Sequence, residues 1–127
     1  SAPADDLADA PADEPTNASD APPAAYLSVS VRGVEYEPIP LTQAREFALR
    51  QGDQGMENII HVTPDSMVMA FATCENQDCV EQGLVSLENR NTRALQNMII
   101  CLPNEVLLEL LTPEEAAQRR ASQQGAP

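Results

Sequence analysis

The chain has 127 residues, enough for one domain with tails. Its formal charge is −13 and all seven basic residues are arginines, so no overall field draws it to phosphate backbones or anionic membranes. No run of 18 apolar residues is present to span a bilayer, and the longest apolar run, "MIICLP" at residues 98–103, has the length of a core strand.

Residues 1–23 are dominated by Ala, Pro and Asp, with Leu7 the only large apolar side chain. Six of the twenty acids lie here with no base, which leaves fourteen acids against seven arginines, a net of −7, in the remainder. Such a segment cannot bury enough surface to offset its ordering entropy, and it reads as a disordered, charge-extended tether. In exported bacterial proteins a tether of this kind separates a signal peptide or a lipidated cysteine from the folded domain; an extension without a role is the plain alternative. Ser1 reads as a processed or trimmed end.

Order is expected from residue 24 to residue 112. In "YLSVSVR" Leu27, Val29 and Val31 alternate with Tyr26, Ser28 and Ser30, the pattern of a half-buried strand. A turn at Gly33 leads into a short strand broken by Pro38 and Pro40. The piece "TQAREFALRQ" is ambiguous: its residues favour helix, yet Phe47 and Leu49 alternate with polar neighbours. Beyond the "GDQG" turn come "NIIHV" and "SMVMAFATC", joined by a hairpin loop at Thr63, Pro64 and Asp65. In a regular strand Met67, Met69 and Phe71 face opposite to Val68, Ala70 and Ala72. "GLVSL", a polar loop at residues 88–96, "NMIICL" and "EVLLELL" follow, with Val106, Leu108 and Leu110 on one face of the last. The sum is an all-β fold, a small barrel or sandwich of six or seven short strands.

The remaining residues, 113–127, read either as a two-turn helix ending in a flexible tail or as a frayed tail throughout. Thr112 fits the N-cap, Pro113 the first turn, and Glu115 completes a capping box, with Arg119 and Arg120 at the favourable end of the dipole.

The chemistry-bearing residues are few. Cys74 and Cys79 stand in Cys-x4-Cys spacing among Glu75, Asp78 and Glu81, and no base lies within seven residues of either. A reactive thiol needs its thiolate stabilised by positive charge, so nucleophilic or redox catalysis is disfavoured. By count Cys74, Cys79, Cys101 and His61 make up a three-thiolate, one-imidazole metal set, and Met67 and Met69 add a copper reading. Mets at strand spacing are more often core, and no second paired knuckle appears.

A structural disulfide is the favoured use. Closing Cys74–Cys79 stabilises by roughly 2 kcal/mol, and pairing either with Cys101 by roughly 3.5 kcal/mol, on the chain-entropy estimate. Local closure needs the least coincidence of geometry, so Cys74–Cys79 is the expected pair and Cys101 the buried free thiol. His61 between Ile60 and Val62 reads as structural. No Ser-His-Asp pattern, phosphate loop or dinucleotide fingerprint occurs, and the chain is not expected to be an enzyme or to carry a cofactor.

Read together, "ATCENQDCVEQGLVSL" and "NMIICLPNEVLLEL" resemble the small bacterial proteins that are similar to the inserted second domain of the transcription factor NusG. Cys74, Cys79, Val80, Gly83, Ile99, Ile100, Cys101, Leu102, Pro103 and Asn104 carry the pattern. Leu84 and Glu75 stand where many relatives have Trp and Pro, and the loop at 88–96 is longer. The resemblance implies a compact β domain over about residues 26–111 with a strand at Phe47, and an exported, often membrane-tethered protein without assigned activity. It also implies a protein partner among membrane or flavin electron-transfer components. It does not imply nucleic-acid binding, since the polymerase-binding and KOW domains of NusG have no counterpart here. The expected role is an extracytoplasmic, lipid-anchored accessory module touching the membrane only through its tether. The rival is a metal- or thiol-redox-active domain using the three cysteines.

Overall fold

The computed structural model describes residues 22–52 and 55–123; the tether expected over residues 1–23 falls almost wholly outside them, as does the end of the C-terminal tail. β1 (Tyr26–Val31) turns into β2 (Val34–Glu35) through Arg32 and Gly33, both at positive φ as a two-residue hairpin turn demands. β3 (Ile39–Pro40) returns along the start of β1. These strands join β9 (Val106–Leu111) and β8 (Met98–Cys101) in one antiparallel sheet of order β2-β1-β9-β8. The second sheet runs β4 (Arg45–Gln51), β5 (Met56–Thr63), β6 (Ser66–Ala72), β7 (Val85–Ser86).

Both sheets contribute to one buried cluster: Leu27, Val29, Leu108 and Leu110 from the first, Phe47, Leu49, Ile60, Met67 and Met69 from the second. Neither sheet closes on itself, so the barrel-or-sandwich expectation resolves to an open, sandwich-like pair. Six strands have four residues or more; the two-residue β2 and β3 fall in the short strand expected after Gly33, and the two-residue β7 falls in "GLVSL".

The ambiguous segment at Phe47 is a strand. Its helix-favouring residues lose to cross-strand pairing with β5, which buries Phe47 and Leu49 while Arg50 points out. In β6 the expected alternation fails halfway. Met67 and Met69 are buried, but Phe71 is 46% exposed and Ala72 is buried. The register passes from Ile60↔Met69 to Ile59↔Phe71, so Ala70 is an extra residue, and this bulge reverses the faces beyond it.

The C-terminal helix α2 (Pro113–Gln123) is three turns long rather than two. Its capping box is reciprocal: the Glu115 amide donates to Thr112 Oγ1 at 3.2 Å and the Thr112 amide to Glu115 Oε1 at 2.9 Å. The Arg90 guanidinium forks onto the Glu115 carboxylate at 2.7 and 2.8 Å and holds that carboxyl down at about 2. Arg119 reaches Ser28, Glu35 and Glu109 on the first sheet. The helix thereby covers the polar face of β1, which is why Ser28 is as buried as its apolar neighbours.

Candidate functional site

At the second motif cysteine the chain makes a single helical turn, α1 (Asp78–Glu81), which the sequence reading did not anticipate. Gln77 enters it at φ 58°, a left-handed conformation that costs a non-glycine residue about 1–2 kcal/mol. Its side chain holds it there, with Nε2 donating to the carbonyls of Ala72 at 2.8 Å and Cys74 at 2.6 Å. Gly83, at φ 78°, ends the turn and donates its amide to the Val80 carbonyl at 3.3 Å. Of the motif residues between them, Cys79 faces the core and Val80 packs against its margin.

α1 packs on β6 of one sheet and β8 of the other. Gln82 fixes the second contact: its Oε1 accepts the Ile100 amide and its Nε2 donates to the Ile100 carbonyl, both at 2.8 Å. A side chain thus occupies the hydrogen-bonding edge of β8 as a neighbouring strand would. Arg93 ties the long 87–97 loop to the same place through the Gln82, Gln96 and Met98 carbonyls.

This arrangement brings the three cysteines together. Cys74 follows β6, Cys79 lies in α1, and Cys101 ends β8; all three are buried, with their sulfurs within 4.8 Å of one another. Cys74 Sγ and Cys79 Sγ are 3.6 Å apart, and the Gln77 amide points at Cys74 Sγ from 4.0 Å. Burial, then the neighbouring Cys101 and Cys74, push the Cys79 thiol far up, so it is held protonated. The flanking acids that first argued against a thiolate are exposed; loss of solvent is the larger cause.

His61 does not belong to this group. It lies on the exposed face of β5, opposite Glu46 of β4, with Nε2 and the carboxylate 3.1 Å apart. An outward register position on β5 cannot reach a cluster beneath α1, so the four-ligand set with His61 is replaced by three sulfurs.

The Leu-Pro-Asn motif forms the loop from β8 to β9, and each residue has a different duty. Asn104 is 3% exposed and donates from Nδ2 to Asn58 Oδ1 at 2.9 Å; Asn58, fully buried in β5, in turn points Nδ2 at Met69 Sδ. Gln51 Nε2 donates to the Asn104 carbonyl at 2.8 Å. Asn104 therefore links the two sheets through a buried polar bridge, a role that sequence spacing alone did not reveal. Leu102 is 78% exposed and Pro103 is exposed beside it. With Leu95, Ile100, Asn76, Asp78 and Gln82 they line a cleft of about 240 Å³ directly over α1, and Leu84 is exposed in the segment that follows α1.

Three solved structures share this architecture. A DUF1312 family protein of Enterococcus faecalis V583 is 17% identical with a TM-score of 0.58, covering 70% of this chain and 98% of its own. A Listeria innocua protein is 22% identical with a TM-score of 0.56, covering 71% and 98%. A DUF1312 family protein of Ruminococcus gnavus is 26% identical with a TM-score of 0.50, covering 68% and 97%. For the first two the likeness is one of fold alone. No curated protein matches the chain. The family model for NusG domain II matches residues 15–113, most of the length, and the chain belongs to that family.

Proposed function

We propose that this domain is a non-enzymatic accessory module, held outside the cytoplasm by its acidic N-terminal segment, that docks an apolar segment of a membrane or redox protein. The observation that carries the reading is the cleft over α1. Its lining combines apolar Leu95, Ile100, Leu102 and Pro103 with polar Asn76, Asp78 and Gln82. An exposed leucine costs solubility and contributes nothing to this domain's own core, so Leu102 at 78% exposure fits a surface that is covered in a complex. Three cysteines in a small β domain and the lipoprotein-like composition of residues 1–23 support the extracytoplasmic, lipid-anchored placement. The net charge of −13 supports a protein partner over a nucleic acid.

The test is a photo-crosslinking amino acid placed at position 102, used on cells and compared with the same probe at exposed Glu88. A discrete adduct at position 102 only, competed by untagged protein but not by its Leu102→Asp form, is expected. Adducts that are absent, or equal at both positions, would sink the reading. Salt-sensitive retention on RNA or DNA would replace it with nucleic-acid binding.

A further inference from the structure

We propose that Cys74, Cys79 and Cys101, in their reduced form, make a three-coordinate, all-sulfur site for a soft monovalent ion of the copper(I) class. The proposal is independent of the docking cleft, and either can fail alone.

Geometry comes first. The loop after β6, the adjoining turn α1 and the end of β8 deliver one sulfur each to a common point, and all separations lie within 4.8 Å, with 3.6 Å between Cys74 and Cys79. An ion with metal–sulfur bonds of about 2.3 Å at the centre of a sulfur triangle holds its ligands about 4 Å apart. The Cys74–Cys79 pair at 3.6 Å and the 4.8 Å limit on the others lie within about 1 Å of that value, so small side-chain rotations close the site on an ion.

Ligand number then selects the ion. Zinc in structural sites takes four ligands. Among the described residues, no His, Asp or Glu atom joins the three sulfurs. Cys74, Cys79 and Cys101 are 5%, 0% and 1% exposed, which leaves little access for a water as fourth ligand. Soft thiolates select copper(I).

Gln77 Nε2 spends its two N–H groups on the Ala72 and Cys74 carbonyls, which fixes the backbone that carries Cys74, and it lies 4.0 Å from Cys74 Sγ. The elements packed on α1 are β6, which carries no titratable residue, and β8, which carries only Cys101. Asp78 and Glu81 share α1 and Glu75 precedes it, all three solvent-exposed. Protons therefore leave from the thiols themselves. Binding is ligand exchange without electron transfer: each thiol that becomes a thiolate donates a sulfur lone pair to the ion and releases its proton to solvent.

The experiment uses the full reduced chain under anaerobic conditions, with copper(I) supplied as its acetonitrile complex against the chromophoric chelator bicinchoninate. One copper per chain is expected, with three sulfur neighbours by X-ray absorption and all three thiols protected from alkylation. Affinity should rise about tenfold per pH unit for each proton displaced, so by up to about 1,000-fold per unit when all three thiols ionise. Cys101→Ala should weaken binding by more than about 100-fold, beyond the effect of losing an outer-shell partner. That variant empties a buried position, so the sulfur count on the unaltered protein serves as a second reading that needs no mutant. Two sulfur neighbours, a nitrogen or oxygen in the shell, or no copper retained against the chelator would each overturn the site.

Discussion

Replacing Asn104 by alanine tests the claim that the two sheets are joined by a polar bridge. Three bonds meet at this residue, and they are unequal. The Gln51 bond goes to the Asn104 main-chain carbonyl and survives the substitution. The contact to Thr73 Oγ1 is 3.4 Å long and contributes little. What is lost is the 2.9 Å bond to Asn58, buried at both ends. A neutral buried bond contributes about 1 kcal/mol, and leaving the Asn58 carbonyl oxygen buried without a partner costs a further 1–3 kcal/mol or so. The expected loss is therefore about 2–4 kcal/mol, a large share of the roughly 5–15 kcal/mol that a small domain has. For a domain of about 100 residues it corresponds to a fall in Tm of at least about 10 °C. Urea unfolding at constant m-value is the assay, because a changed slope would report a changed denatured or native state instead. The cycle with Asn58→Ala decides the mechanism. If the bond is the cause, the double variant costs clearly less than the sum of the singles. A single-variant loss below about 0.5 kcal/mol, or strict additivity, would refute the bridge as a stabilising contact.

The remaining predictions concern the helix cap, the end of α1 and the thiols. Arg90 holds the Glu115 carboxyl at about 2, below the ordinary carboxylate value of about 4.3, so its contribution to stability is complete above that value and lost as pH falls through about 2. Because the Glu115 side chain is 40% exposed, the whole effect should stay near or below 1 kcal/mol, read as the difference between wild type and Glu115→Gln across an acid series; parallel curves would contradict the pairing. Gly83→Ala should cost about 1 kcal/mol from backbone alone, since a Cβ there meets no atom within 4 Å, and Gly83→Asn should cost less because asparagine tolerates the left-handed region. Finally, reduced protein oxidised with glutathione disulfide should form one intramolecular bond between Cys74 and Cys79, the pair at 3.6 Å, leaving Cys101 to be alkylated after denaturation. Peptide mapping that joins Cys101 to either partner would reassign the staple, and denaturant midpoints should show a gain of roughly 2 kcal/mol for the bonded form.

Local rules settled much of this protein before its tertiary structure. Alternation at Leu27, Val29 and Val31 placed β1, and the pattern of residues 106–111 placed β9, because one face of each strand must leave water. The capping box at Thr112 and Glu115 marked where the last helix starts, since that signal needs only residues three apart. The helix's third turn was invisible for the opposite reason: its hold on the sheet comes from Arg119 and Gln123 reaching residues 84 to 91 positions away. Periodicity also could not foresee the bulge at Ala70, which depends on how β6 registers against β5 and which turns Ala72 inward. The same holds for the candidate site. Composition named the three cysteines, and the motif resemblance put Leu102, Pro103 and Asn104 beside them in the chain. Only the packing of α1 across β6 and β8 brought the sulfurs to one point, while the β4–β5 register turned His61 outward and the pairing of the two sheets buried Asn104. Contacts between residues close in sequence are encoded in spacing; contacts between two sheets exist only once both have formed and packed.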